Sequence, residues 1–211
     1  MYITSVKVTP VNKQSLLAVA SITLCDCFVL RAMRLLQGRR RYLAMPSRQT
    51  RTGRVFEVFH PISAEARGAL EDLILEGYET QMAGKPFNPE LPVLFGTDCH
   101  DFVMTGVRVR PYDEMKLQGF ASIVLDDCFV INGIKIIVGR SRKFIQMPNV
   151  KKKTGKYRDL AFPTVPEIRE RIEQTIFEEY ERTLEEEGLD SGEDPPFGED
   201  PDSSDDPSPS N

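Results

Sequence analysis

The chain has 211 residues, 40% hydrophobic and 28% charged, a globular balance at a length that suits about one or two domains. Its net charge of −5, taken whole, argues against a nucleic-acid binder, but the charge is segregated: residues 185–211 hold eleven acidic and no basic residues, which leaves residues 1–184 at +6. No run approaches the roughly 18 apolar residues of a membrane span, and the start Met1-Tyr2-Ile3-Thr4-Ser5 lacks the layout of a signal peptide, so a cytoplasmic location with no membrane partner is expected.

Taken in chain order, residues 3–9 alternate apolar and polar side chains and read as a strand. Residues 16–24 and 27–36 are rich in apolar and β-branched side chains, and the junction at Cys25-Asp26 suits a tight hairpin. Residues 42–45 read as a short fourth strand, 48–54 as a polar turn closed by Gly53, and 55–60 as a fifth strand. A helix follows, with Ser63 as its cap and Ala66, Leu70, Leu73, Ile74, Gly77 and Tyr78 at helical spacing.

The same order then recurs. Residues 16–29 match residues 117–130 at an offset of 101, with Ala20-Ser21-Ile22 repeated as Ala121-Ser122-Ile123 and Phe28-Val29 as Phe129-Val130. After one inserted residue the offset becomes 102: Met45-Pro46 matches Met147-Pro148, Thr52-Gly53 matches Thr154-Gly155, and Pro61 matches Pro163. Roughly 27 identities over about 77 positions mark a duplication, and the long period means two copies of a small domain rather than a solenoid. The second hairpin falls at Asp126-Asp127. Its helix begins at a capping-box pattern, Thr164-x-x-Glu167, and carries the stripe Ile168, Ile172, Ile176 and Tyr180.

The expected architecture is therefore α+β: two tandem copies of a small antiparallel β-sheet domain with a C-terminal helix, forming an intrachain pseudo-dimer. Copy one spans residues 1–83 and copy two 103–187. Residues 84–102 form a Pro- and Gly-containing linker whose Phe87, Leu91, Val93, Leu94 and Phe95 suit packing on a surface. Residues 188–211 are an acidic tail too poor in apolar side chains to order itself.

Ala44-Met45-Pro46-Ser47-Arg48, Thr52-Gly53, His60-Pro61-Ile62 and Arg67-Gly68, together with Ala20-Ser21-Ile22-Thr23-Leu24 and Phe28-Val29, resemble the signature of the SpoVG family, and copy two repeats the pattern in weaker form. The resemblance covers both copies. It implies a regulator of the septation or gene-expression type that binds DNA and RNA and, in its single-domain form, pairs as a homodimer. A tandem version replaces that homodimer internally. The family pattern also places an Arg-Asp pair before His-Pro. Copy two keeps Arg158-Asp159 but has Phe162 in place of histidine, whereas copy one keeps His60-Pro61 but has Phe56-Glu57.

Two acid-free windows carry most of the positive charge. Residues 31–54 hold Arg31, Arg34, Arg39, Arg40, Arg41, Arg48, Arg51 and Arg54; residues 135–158 hold Lys135, Arg140, Arg142, Lys143, Lys151, Lys152, Lys153, Lys156 and Arg158. Matched positive turns suit a protein that tracks a phosphate backbone. The candidate nucleic-acid contacts are the arginines from Arg39 to Arg54 and the cations from Arg140 to Arg158, with copy two expected to carry more of the affinity. Tyr42, Phe56, Phe144 and Tyr157 read as sheet core rather than as stacking platforms.

No catalytic site is expected. Cys99-His100-Asp101 lies in the linker, and neighbouring residues do not ordinarily point at one another; His60 reads as a structural histidine. The four cysteines match no zinc spacing and read as buried free thiols, so no metal or cofactor is expected. DNA or RNA is the expected partner. A protein-interaction module acting in septum formation is the alternative, further self-association through the sheet stays open, and the acidic tail has the basic windows as a nearby target.

Overall fold

The computed structural model describes residues 1–50, 52–89, 93–94 and 102–187. Copy one contributes β1 (Tyr2–Lys13), β2 (Leu16–Leu24), β3 (Phe28–Gln37), β4 (Arg41–Ala44), β5 (Ser47–Gln49), β6 (Val55–Glu57), β7 (Phe59–Pro61) and α1 (Ala64–Met82). Beyond β8 (Val93–Leu94), copy two repeats the order as β9 (Met104–Glu114), β10 (Leu117–Leu125), β11 (Phe129–Val138), β12 (Lys143–Gln146), β13 (Asn149–Lys151), β14 (Tyr157–Asp159), β15 (Ala161–Pro163) and α2 (Pro166–Glu187).

The hairpins form where the residues allow the turn. Cys25 and Asp26 have φ of 46° and 54°, and Asp126 and Asp127 have 48° and 50°. Positive φ at both central positions is the geometry whose twist matches the flanking strands. The alternation of β2 and β10 buries Ala18, Ala20, Ile22 and Leu24 in one copy and Ala121, Ile123 and Leu125 in the other. Each helix covers the buried face of its sheet. Leu70, Leu73, Ile74 and Tyr78 are the buried stripe of α1, and Ile172, Ile176 and Tyr180 that of α2. The helix α1 starts at Ser63, whose Oγ accepts from the Ala66 N–H at 3.0 Å.

A β-bulge decides how the copies meet. In β3 the pairing with β2 skips Ala32, which has φ of 66°; in β11 the matching residue is Gly133, with φ of 75°. A bulge bends the strand and sharpens its twist. Beyond the bulge, β3 pairs with its own β4, from Arg34↔Ala44 to Gln37↔Arg41. Before it, β3 pairs with β15 of the other copy: Phe28↔Pro163, Val29↔Phe162 and Leu30↔Ala161. The exchange is reciprocal, because β7 of copy one pairs with β11 through Phe129↔Pro61, Val130↔His60 and Ile131↔Phe59. Four main-chain bonds extend these ladders. The Arg31 N–H donates to Leu160 O at 2.7 Å, Thr164 to Cys27 O at 2.8 Å, Ile62 to Cys128 O at 2.8 Å and Asn132 to Val58 O at 2.7 Å.

The result is a six-stranded sheet ordered β15-β3-β2-β1-β8, with β4 also on β3, and a five-stranded sheet ordered β12-β11-β10-β9, with β7 on β11. Val58, Phe59, Leu160 and Ala161 on the exchanged segments are buried, and the core is continuous across both copies. The pseudo-dimer is thus an interlock in which neither sheet is complete without the other copy's strand.

Three expectations need correction. Residues 55–60 are not one strand: β6 and β7 meet at Val58 and pair with different elements, β5 and β11. Residues 48–54 are more than a turn, since β5 begins at Ser47 and makes a short ribbon with β6. In copy two, α2 begins with Pro166, a residue suited to the first helical position, and the Thr164 hydroxyl donates across the interlock to Asp26 O at 3.4 Å. Of the linker, Phe87 packs against α1 and β1, where a Cβ on Gly77 would come within 2.8 Å of both Phe87 and Val8. The acidic tail and the Cys99-His100-Asp101 run lie outside the described residues.

Candidate nucleic-acid interface

Each copy builds its positive surface from two turns. The first joins β3 to β4 and, in copy two, β11 to β12. It is closed by Gly38 N–H donating to Arg40 O at 3.1 Å and Gly139 N–H donating to Arg142 O at 2.9 Å. At Gly139 a Cβ would sit 2.9 Å from that carbonyl, so the close approach requires glycine. Arg39, Arg40 and Arg140 project into solvent with no ion pair among the described residues. The last cation of each turn folds back onto its own helix. Arg41 bonds Glu79 at 2.6 Å and lies over the Tyr78 ring; Lys143 lies 4.8 Å over the Tyr180 ring, and Arg142 stands 4.0 Å from Glu173. Arg41 and Lys143 therefore anchor the turns more than they extend the free surface.

The second turn is the tip of a two-stranded ribbon, β5–β6 or β13–β14. Gly53 and Gly155 supply the positive φ, 87° and 78°. In copy one the ribbon is tied by side chains: the Thr50 hydroxyl accepts from the Arg54 N–H at 3.0 Å and bonds Thr52 at 2.8 Å, and Gln49 donates to Gly53 O at 3.1 Å. In copy two the main-chain bonds remain, Lys152 N–H to Lys156 O and Gly155 N–H to Lys152 O, both 2.8 Å, while Lys151 and Lys152 replace Gln49 and Thr50 and Thr154 is kept in place of Thr52. Every residue from Val150 to Asp159 is exposed, and Lys151, Lys152, Lys153, Lys156 and Arg158 form no ion pair among the described residues. Arg54 is exposed in the same way in copy one; Arg51 lies outside the described residues.

The interlock brings the roots of the two ribbons together. Arg48 of β5 is half-buried and lines one shallow cleft with Gly133, Lys135, Gln146 and Asn149 of copy two. Arg31 lies 4.5 Å over the ring of Phe162, across the copies. That contact accounts for an aromatic residue where copy one has His60. In copy one, Glu57 binds Arg67 with a 2.7 Å bond, and its carboxylate stands 3.7 Å from His60 Nδ1. Burial outweighs that carboxylate and holds the His60 pKa below its usual 6.5. The opposite copy braces this corner, with the Asn132 side chain donating to Glu57 O at 2.9 Å.

The core expectation fails for two aromatics. Tyr42 is 44% and Tyr157 57% exposed; Phe56 and Phe144 are half-buried. Tyr157 stands on a three-residue ribbon with no layer beneath it to bury the ring, and Tyr42 on the short strand β4, which pairs with β3; residue type alone reports neither. Burial pushes the Cys27 thiol up to about 11 and the Cys128 thiol above its usual value, which keeps both protonated and poorly nucleophilic. Among the described residues no group of three or more His, Cys, Asp or Glu could hold a metal, and no helix is long and apolar enough to cross a membrane.

Comparison with known proteins places both copies. The SpoVG family model matches residues 1–80 and again residues 102–182. A relative from Anaeromyxobacter sp. (strain Fw109-5), named "Putative septation protein SpoVG", is 47% identical over 81 residues, 38% of this chain and 84% of the relative. A protein of the same name from Bdellovibrio bacteriovorus is 45% identical over 85 residues, 40% of this chain and 79% of the relative. One from Myxococcus xanthus is 46% identical over 81 residues, 38% of this chain and 82% of the relative. Each relative is matched over about the length of one copy, and two sheet-and-helix units interlock within a single polypeptide: the chain belongs to the SpoVG family, as a tandem duplication.

Proposed function

We propose that this protein binds DNA or RNA through its two ribbons and adjoining turns, and acts as a regulator in a septation-linked process. The observation that carries the reading is the copy-two ribbon, where Lys151, Lys152, Lys153, Lys156 and Arg158 are all exposed and unpaired among the described residues. Unpaired cations grouped on a projecting ribbon gain by releasing counterions from a polyphosphate backbone. Arg39, Arg40 and Arg54 extend the surface in copy one, and Arg48 and Lys135 meet between the ribbons. The septation context rests on the relatives' name.

Changing Lys151, Lys152 and Lys153 together to Glu tests the assignment. The expected result is loss of detectable binding to mixed-sequence DNA with an unchanged circular dichroism spectrum, because these side chains bury nothing. Retained affinity rejects the site. Wild-type protein that binds no nucleic acid but captures an acidic protein through the same lysines supports the protein-interaction reading instead. Residues 188–211 are proposed to compete for the ribbons. Removing them then tightens binding several-fold at low salt, and unchanged affinity rejects the competition.

A further inference from the structure

The copy-two ribbon carries a feature that charge alone does not explain. Tyr157 leaves 57% of its surface in solvent and pairs directly across the ribbon with Lys151. Lys156 and Arg158 flank it in sequence, and Lys152 closes the turn beyond. The matching residue of copy one is Val55, also exposed, which offers no aromatic face; the neighbouring ring, Phe56, is half-buried and lies against Gly133 of the other copy.

We infer that Tyr157 is a base-stacking platform and that the copy-two ribbon selects single-stranded nucleic acid over duplex. This rests on the nucleic-acid reading of the ribbons. The chemistry follows from placement. A ring standing in water on the same face of the ribbon as its cross-strand partner Lys151 meets a strand whose phosphates engage that lysine while an unpaired base covers the ring, and Arg158, on the opposite face, adds to the positive field around the ribbon. Every base has a π-face, so the contact favours single strands without reading sequence. Duplex bases are stacked on one another and offer the ring no such face. The two copies then divide the work: copy one supplies phosphate contacts through Arg39, Arg40 and Arg54, and copy two adds the stack.

The test compares wild type, Tyr157→Val and Tyr157→Phe on two probes, a homopyrimidine single strand of about 12 nucleotides and a mixed-sequence duplex. Valine is the residue copy one already carries at this site, and the position is exposed, so folding is preserved. Tyr157→Val is expected to weaken single-strand binding about 10- to 100-fold and duplex binding less than about twofold, and Tyr157→Phe to keep wild-type preference. The protein has no Trp, so tyrosine emission can be read directly. Single strands should quench it in wild type, and less of it in Tyr157→Val. Equal loss on both probes, or no loss on either, overturns the stacking role while leaving the nucleic-acid reading intact. Wild type that binds neither probe overturns both.

Discussion

Phe59→Ala removes a buried ring from the interlock. Phe59 is completely buried, lies on β7, and pairs with Ile131 of the other copy. Truncating such a ring costs about 3–5 kcal/mol, a large share of the roughly 5–15 kcal/mol that stabilises an ordinary domain. At this chain length each kcal/mol lowers Tm by about 2–4 °C, so a fall of roughly 6–20 °C is expected. The informative assay is native-state hydrogen exchange, read at Ile22 and Leu30 in copy one and at Ile123 and Ile134 in copy two. The interlock makes the copies one cooperative unit, so protection at all four amides should fall by the same free energy. If Ile123 and Ile134 keep full protection while Ile22 and Leu30 lose theirs, the copies fold as separate beads and the interlock is wrong. Ala161→Gly, at the matching place on β15, removes only a methyl and should cost about 1–2 kcal/mol.

Two further predictions concern stability. His60, beside Glu57 and Arg67, has its folded pKa below 6.5, so the unfolded chain takes up its proton first as pH falls. Stability is therefore lost below pH 6.5 until the folded pKa is passed, and His60→Phe, the residue copy two carries, should shrink the fall in urea midpoint between about pH 7.5 and pH 5; an unchanged fall contradicts this. Ala32 occupies a left-handed conformation that its counterpart Gly133 adopts freely. Ala32→Gly should stabilise by about 0.5–1 kcal/mol and Gly133→Ala should destabilise by about 1 kcal/mol or more, and urea melts showing the reverse signs would remove the backbone argument.

Much of this fold was legible because its signals are local and repeated. The duplication, the turns at Cys25-Asp26 and Asp126-Asp127, and the stripes of α1 and α2 are each written in neighbouring residues. The interlock was not. Phe59–Pro61 and Ala161–Pro163 are too short to show a periodicity, and which strand they join depends on bends in the other copy, at Gly133 for the first and Ala32 for the second, far away in sequence. Thr164 misled for a related reason: a residue with the chemistry of a cap is used to bond the other copy. At the site, residue type located the cations but not their partners. Arg41 and Lys143 read like their neighbours yet fold back onto α1 and α2, while Tyr157, whose type suggested core, stands exposed.

A chain of negative total charge is proposed to bind a phosphate backbone through its duplicated positive body. The deciding measurement is the salt dependence of its affinity for mixed-sequence DNA. Contact with about 4–6 phosphates predicts a log–log slope of roughly −4 to −5, flattened by about three phosphates' worth when Lys151, Lys152 and Lys153 are neutralised. No detectable binding at about 50 mM salt, or a slope near zero, would contradict the claim.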